Sequence, residues 1–305
     1  MIRADEIDIL IDVCGYLEGH RPGIFAHRPA PIQVYWLAHA GGLGLPFIDY
    51  LIADRIVVPQ GEEKLYRENV VRLPDTYHCA DGLPFDAGAP NAAAEGLAGA
   101  SFVFCAFNNP QKIDRTIFLA WMRILAAVPG SVLWLSDPSG IPAMQRNLRA
   151  LAEAAGIAGE RIVFARYVPS KPAHLARHAL AGLFLDTMTV NAATTTLDAL
   201  WAGLPVLTLR GKWFAARMAH TMVNALGLAD ALVTEDLAEY EARAIALALD
   251  PAALAALAGR LRQAVRAEAL FDTARFCRNL ERAFLAMAER HDRGMLPAPF
   301  DFAPA

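Results

Sequence analysis

The chain has 305 residues, of which 55% are hydrophobic and 20% are charged, and its formal net charge is −4 at pH 7. A chain of this length and apolar content can bury a large core and is long for one domain, so two domains are expected. The small negative charge and the dispersed Lys and Arg residues argue against a nucleic-acid binder or a binder of anionic membranes. Recognition of an anionic ligand should therefore be local.

The N-terminal residues MIRADEIDIL lack the basic start and apolar block of a signal peptide. No apolar run reaches membrane-spanning length without charges. The four cysteines lie far apart without CxxC spacing, so we expect reduced thiols rather than disulfides: Cys14, Cys79, Cys105 and Cys277. These features together predict a cytoplasmic location.

The first hundred residues predict three strands, which cover residues 7–13, 32–37 and 49–58. Residues 59–100 are expected to hold a polar helix and the VVRLPDTYH segment, followed by a run rich in Gly, Ala, Pro and Asn from residue 81. That last run is the best candidate for a linker.

From Ser101 onward, apolar strand-like runs alternate with segments of helical periodicity. The predicted strands cover 102–107, 131–136, 161–166, 183–185 and 206–209, and the predicted helices cover 114–128, 142–155 and 169–180, with one more opening near Thr194. This alternation indicates a doubly wound parallel sheet, in which ligands bind outside the carboxyl ends of the strands. The remaining chain predicts helices at 214–226, 237–249, 251–267 and 273–291, and a Pro-rich tail that packs as an irregular strap or frays.

Three consecutive threonines, Thr194, Thr195 and Thr196, stand where one of these helices begins. Helix starts carry free N–H donors and partial positive charge, so hydroxyl residues there suit an anion. The alternative is a capped helix without a ligand. Asp198, one turn later, could accept hydrogen bonds from ribose hydroxyls or form a surface salt bridge.

Two neighbouring loops carry cations. Asn108, Asn109 and Lys112 follow the strand at 102–107 and suit a phosphate, although the same residues could form a solvated capping loop. Farther along the chain, a helical face with i, i+3 and i+4 spacing could hold a nucleobase and its sugar, or could be a solvated basic face; it carries Lys171, His174, Arg177 and His178. The two histidines have HxxxH spacing but no third ligand, so no metal is expected.

The sequence contains no G-x-G-x-x-G, Walker or G-x-S-x-G motif, which argues against dehydrogenases, P-loop proteins and α/β-hydrolases. What remains is a sheet edge with cationic and hydroxyl groups suited to a nucleotide diphosphate. Such an edge fits the donor side of a glycosyltransferase with two Rossmann-like lobes.

Several segments make the chain resemble the catalytic region of the O-GlcNAc transferase and SPINDLY-type glycosyltransferases over almost its full length. The segments include RPAPIQ, VRLPDTYH, FCAFNNPQKIDRTI and LFLDTMTVNAATTTLDALWAGLPVLTL. The resemblance implies a GT-B fold that transfers a sugar, GlcNAc from UDP-GlcNAc, to a Ser or Thr hydroxyl of a protein without a metal or other cofactor. It implies three regions: a truncated acceptor-side lobe at 1–98, a complete nucleotide-sugar-binding lobe at 99–270, and a C-terminal helix and tail at 271–305.

The resemblance also implies roles for particular residues. Lys112 matches a catalytic lysine that contacts the diphosphate, and Thr194 and Thr195 match threonines that cradle it. His174 and Arg177 match residues at the nucleobase, while Lys171 and Asp198 match ribose contacts. Asn109 stands where the family usually has glutamine.

Other features depart from the family. The strands that the family places before the point matching Ile7 are absent from this sequence, as are the tetratricopeptide repeats, so we expect a fragment of a longer reading frame or a partner chain that supplies the rest. The alternative functions are a catalytically weak or inactive nucleotide-sugar-binding scaffold and a SPINDLY-like O-fucosyltransferase that uses GDP-fucose. The identity of the acceptor is left open.

Overall fold

The computed structural model describes residues 1–82, 84–85, 88–137 and 139–302. Its strands are β1 (Ile9–Asp12), β2 (Ile32–Tyr35), β3 (Tyr50–Asp54), β4 (Asn69–Leu73), β5 (Val103–Ala106), β6 (Val132–Asp137), β7 (Ile162–Arg166), β8 (Leu183–Leu185), β9 (Val206–Leu209), β10 (Val233–Thr234) and β11 (Phe300–Asp301). Its α-helices are α1 (Pro22–Ala26), α2 (Arg115–Ala127), α3 (Pro142–Ala154), α4 (Lys171–Ala176), α5 (Thr194–Trp201), α6 (Met218–Ala225), α7 (Ala229–Leu232), α8 (Leu237–Leu249), α9 (Pro251–Ala267) and α10 (Thr273–Asp292).

The chain divides into two compact units. Unit 1 comprises Met1–Asp81, Trp213–Ala215 and Ala269–Ala305, and unit 2 comprises Gly82–Lys212 and Ala216–Glu268. The first change of unit falls where the run predicted as a linker begins. The boundaries at 98/99 and 270/271 that the resemblance implies stay a prediction.

Unit 1 is built on a parallel sheet with the strand order β1-β2-β3-β4-β11. Helix α10 packs on this sheet and buries Phe276, Ala283 and Met287 against Val34 and Ile52. The polar helix predicted within residues 59–100 is wrong, because the described part of that segment holds one 3₁₀ turn (Glu63–Leu65) and strand β4.

The C-terminal tail contributes the fifth strand of this sheet. Phe300 and Asp301 pair in parallel with Val71 and Arg72 of β4. The Asp301 carboxylate accepts a hydrogen bond from the buried Arg72 guanidinium at 2.9 Å. The expectation of an irregular strap or frayed end is therefore wrong for these two residues, because Arg72 holds them by an ion pair.

Unit 2 is built on a parallel sheet with the strand order β10-β9-β8-β5-β6-β7. Strands β8 and β9 have the bounds that the sequence predicts, and the prediction of a doubly wound sheet is confirmed. The predicted helix at 169–180 is shorter, since α4 ends at Ala176 and a 3₁₀ helix (Arg177–Leu180) follows. The interior of unit 2 contains Trp121, Trp134 and Tyr240, all fully buried.

Among the described residues, no single helix is long and apolar enough to cross a membrane. Helices α8 and α9, which meet at a 102° bend, satisfy the same criterion of length and composition only when they are taken together.

Candidate functional site

The strand order of unit 2 contains a point where the winding direction reverses. The chain goes from β5 to β6 and β7 on one side, and β8, β9 and β10 lie on the other side of β5. The loops that leave the carboxyl ends of β5 and β8 therefore diverge and leave a crevice, which is where open α/β sheets bind ligands. All eight candidate residues predicted for the site belong to unit 2.

The loop after β5 places Lys112 at this crevice. The Lys112 ammonium donates a hydrogen bond to the main-chain oxygen of Asn191 at 2.7 Å, in the loop that follows β8. Burial lowers the pKa of Lys112, and the negative charge of Asp186 opposes that effect. An ammonium group has three N–H donors, so Lys112 can contact a ligand while it keeps this bond.

Asn109 is exposed, and its side chain caps the 3₁₀ turn at Pro110–Lys112 by accepting from the N–H of Gln111 at 3.1 Å. Asp114 caps helix α2 in the same way, through the N–H of Ile117. The capping-loop interpretation is therefore correct for these two side chains. It does not account for the inward-facing ammonium of Lys112.

The start of α5 has no side-chain cap, because the N-cap position is Ala193. The first intrahelical bonds join the N–H groups of Thr196 and Leu197 to the Ala193 oxygen, so the N–H groups of Thr194 and Thr195 precede the helical hydrogen-bond ladder. The interpretation of a side-chain-capped helix is wrong, and an anion is the natural partner for these donors. Thr196 is buried and bonds to the Ala192 oxygen, so it has a structural role.

Arg177 is buried rather than solvated. Its guanidinium donates to Glu95 Oε2 at 2.6 Å and to the Arg166 main-chain oxygen at 2.8 Å. It also lies 4.8 Å from the ring centroid of Trp134 and 5.3 Å from that of Phe107. His178 is buried too, so the interpretation of a solvated basic face is wrong for these two residues.

Helices α4 and α5 are joined through Asp198. Its carboxylate forms an ion pair with Lys171 and lies 3.7 Å from His174 Nε2. Burial lowers the pKa of His174, although the Asp198 charge raises it. Asp198 therefore forms the salt bridge that the sequence allowed, and its partner is Lys171, the other residue predicted to contact the ribose.

A cavity of about 250 Å³ opens beside this cluster. Its walls include three of the predicted residues, Lys171, His174 and Arg177, together with Phe107 and Val168. A neighbouring cavity of about 850 Å³ shares Arg177 with it. The smaller cavity combines aromatic walls with cationic groups, which suits a flat heterocycle.

Sequence reasoning missed two residues that organise this site, Phe107 and Asp186. Phe107 forms an aromatic wall, and Asp186 is a buried carboxylate at the end of β8. Asn108 was recognised as part of the phosphate loop but not as the side chain that joins Asp186 to Thr195. The available signal was the position of each residue directly after a buried strand.

Within the described ranges, no group of three or more His, Cys, Asp or Glu side chains could hold a metal ion. Burial lowers the pKa of His178 to about 3. Its Nδ1 lies 3.0 Å from the His174 main-chain oxygen, so this ring nitrogen carries a proton and is not a metal ligand.

The model of glycosyl transferase family 41 matches residues 1–85 and 91–280 of this chain. A probable UDP-N-acetylglucosamine–peptide N-acetylglucosaminyltransferase SEC of Arabidopsis thaliana is 38% identical over 98% of the chain and 31% of its own length. A probable enzyme of the same description, SPINDLY of Petunia hybrida, is 33% identical over 98% of the chain and 32% of its own length. The chain thus spans about a third of the length of these relatives.

A mutant of the Thermobaculum terrenum O-GlcNAc transferase has a similar structure, with a TM-score of 0.84 and 35% identity over 94% of this chain and 54% of that protein. The structure of TarM, at 12% identity and a TM-score of 0.59 over 92% of this chain and 54% of its own, shares the fold alone. Two parallel-sheet α/β units of this kind define the GT-B fold. With this fold and a family model that matches nearly the whole chain, the protein belongs to glycosyl transferase family 41.

Proposed function

We propose that this chain binds a nucleotide sugar in unit 2 and transfers the sugar, GlcNAc from UDP-GlcNAc, to a Ser or Thr hydroxyl of a protein. The observation that carries the proposal is the convergence of three features at one crevice: the Lys112 ammonium, the uncapped start of α5, and the cavity beside His174 and Arg177. The relatives named as peptide N-acetylglucosaminyltransferases support the choice of donor and acceptor.

Each group has a role that follows from its chemistry. The cavity takes the nucleobase beside Phe107 and His174, and Lys171 and Asp198 hold the ribose. The diphosphate lies at the N–H groups that begin α5 and at Lys112. During transfer the acceptor hydroxyl oxygen forms a bond to the anomeric carbon of the sugar and gives up its proton. The bond between the sugar and the diphosphate breaks, and the leaving oxygen gains negative charge.

Fixed donors stabilise this charge more in the transition state than in the ground state, which is the condition for faster transfer. Lys112 is therefore assigned as the catalytic residue of this chain. No metal or other cofactor is required, since an ammonium and a helix start supply the positive charge. The four cysteines are free thiols, which supports the proposal of a reducing, cytoplasmic location.

The test is calorimetric titration of the protein with UDP-GlcNAc and, side by side, with GDP-fucose, followed by a transfer assay on Ser/Thr peptides. We expect saturable binding of UDP-GlcNAc and transfer of GlcNAc. Tighter binding of GDP-fucose would replace the donor assignment, and binding without transfer would indicate a nucleotide-sugar-binding scaffold. The absence of binding to either donor would overturn the proposal.

A further inference from the structure

A buried carboxylate lies beneath the candidate diphosphate site. Asp186 follows β8 directly and is 1% exposed. Its Oδ1 accepts from the N–H groups of Thr187 and Ala192 at 2.8 and 2.7 Å, and its Oδ2 accepts from the Thr208 hydroxyl at 2.8 Å. Several hydrogen bonds donated to one carboxylate stabilise its ionised form.

Asp186 determines the orientation of the Asn108 amide. Asn108 Nδ2 donates to Asp186 Oδ1 at 3.1 Å and to Thr187 Oγ1 at 2.9 Å. A flipped amide would place its oxygen against the carboxylate, so the negative charge selects this orientation. The amide oxygen consequently accepts from the Thr195 hydroxyl at 3.1 Å, in the first turn of α5. The proton of that hydroxyl is directed inward, and the Thr195 main-chain N–H is the donor available to a ligand.

Asp186 also acts on Lys112 through its charge. It is the group that opposes the effect of burial on the pKa of Lys112. Burial raises the pKa of Asp186 itself to about 6, and the positive charge of Lys112 counteracts that rise. A further titratable side chain near Asp186 is Tyr240 of α8, whose hydroxyl donates to the Asp186 main-chain oxygen at 3.0 Å.

We propose that Asp186 is a positioning residue for the nucleoside diphosphate: it orients Thr195 through Asn108 and presents its negative charge to Lys112, without touching the ligand. The inference rests on the proposed function, in which Lys112 and the start of α5 hold the diphosphate. It predicts that the charge of Asp186 sets the pH range in which the donor binds. The appropriate probe is UDP-GlcNAc, whose diphosphate does not titrate near neutral pH.

The first test is Asp186→Asn, with UDP-GlcNAc affinity measured by calorimetry from pH 5 to pH 9.5. Without the anionic neighbour, Lys112 should lose its proton at lower pH, so the alkaline fall in affinity should move down by about one pH unit. In a Lys112→Arg background the fall caused by Lys112 should be absent, and Asp186→Asn should leave the alkaline part of the profile unchanged, since arginine stays protonated. A purely structural loss would lower affinity equally at every pH.

The second test keeps the carboxylate and covers the case in which Asp186→Asn does not fold. In the wild-type protein, affinity should fall about tenfold between pH 7 and pH 5 as Asp186 takes up a proton. Thr208→Val removes one donor to the carboxylate, raises its pKa, and should move this acidic fall up by about one pH unit. Thr234→Val is the matched control, because the buried Thr234 hydroxyl donates to a main-chain oxygen on the neighbouring strand. Its profile should match the wild type.

The outcomes separate the inference from the proposed function. If the wild-type protein binds neither UDP-GlcNAc nor GDP-fucose, the proposed function fails. If it binds UDP-GlcNAc but the Asp186→Asn profile runs parallel to the wild type, or the shift persists with Lys112→Arg, the role of Asp186 is overturned. An acidic fall at the same pH in Thr208→Val and in the wild type would also overturn it.

Discussion

Replacing Arg177 by alanine should destabilise unit 2 as well as its candidate base pocket. The guanidinium joins Glu95, the main chain at Arg166, and the ring faces of Trp134 and Phe107. Glu95 lies in the run that sequence reasoning treats as a linker, so this contact anchors that run to the sheet.

The size of the effect follows from the burial of the ion pair. The Arg177 side chain is 5% exposed and the Glu95 side chain is 23% exposed. Removing one partner of a buried pair typically costs about 3–5 kcal/mol, and the partial exposure of Glu95 places this pair at the lower end. The lost contact with Trp134 adds about 1 kcal/mol. We therefore expect the free energy of unfolding to fall by about 4 kcal/mol.

Hydrogen exchange of the β6 and β7 amides measures this loss within unit 2, and Glu95→Gln is the matched control. Glutamine keeps an acceptor oxygen for Arg177 but removes the charge, so we expect a loss of about 1 kcal/mol. Equal losses of unfolding free energy for the two variants, or a loss below about 1 kcal/mol for Arg177→Ala, would refute the claim that the Arg177 guanidinium joins these groups and stabilises unit 2.

Two further predictions concern pH and the tail. Because the pKa of His178 is about 3 in the folded protein and about 6.5 when unfolded, the unfolded state binds more protons below pH 6.5 and stability falls as the pH falls. Between pH 7.5 and pH 5 this group should cost about 2 kcal/mol; His178→Phe should remove that part of the pH dependence in urea unfolding, and an unchanged dependence would contradict it. Asp301→Asn should weaken the pairing of β11 with β4 by about 1 kcal/mol, because it removes the ion pair with Arg72. Faster hydrogen exchange at the Phe302 amide, which bonds to the Arg72 oxygen, would report this loss, whereas an unchanged rate would argue against the ion pair as the anchor.

Sequence reasoning succeeded where local pattern and long-range structure agree. Strand β8, helix α5 and strand β9 follow one another with short connections, so the apolar runs and the turn residues between them determine their bounds. The same reasoning placed Lys112 and Thr194 on neighbouring loops, because the carboxyl ends of parallel strands meet at one edge of a sheet.

Sequence reasoning failed where a residue far away in the chain determines whether a side chain is buried or exposed. No strand is predicted for the segment VVRLPDTYH, although β4 lies at its start; Arg72 in this strand is buried because Glu63 and Asp301 neutralise its charge within unit 1. Arg177 resembled a solvated cation because its partner, Glu95, lies 82 residues earlier in the chain. The position of Asp186 directly after a buried strand was the one local signal of its burial, but its donors come from three separate segments and could not be read from that position.

The most direct test of the account compares UDP with uridine as ligands of the wild-type protein and of Lys112→Ala. Uridine lacks the diphosphate, so it reports the base and ribose contacts alone. A charge-assisted hydrogen bond contributes about 1.5–3 kcal/mol, so the substitution should weaken UDP binding about 10- to 150-fold. The affinity for uridine should stay unchanged. An equal loss for both ligands, or no loss for UDP, would contradict the assignment of Lys112 to the diphosphate.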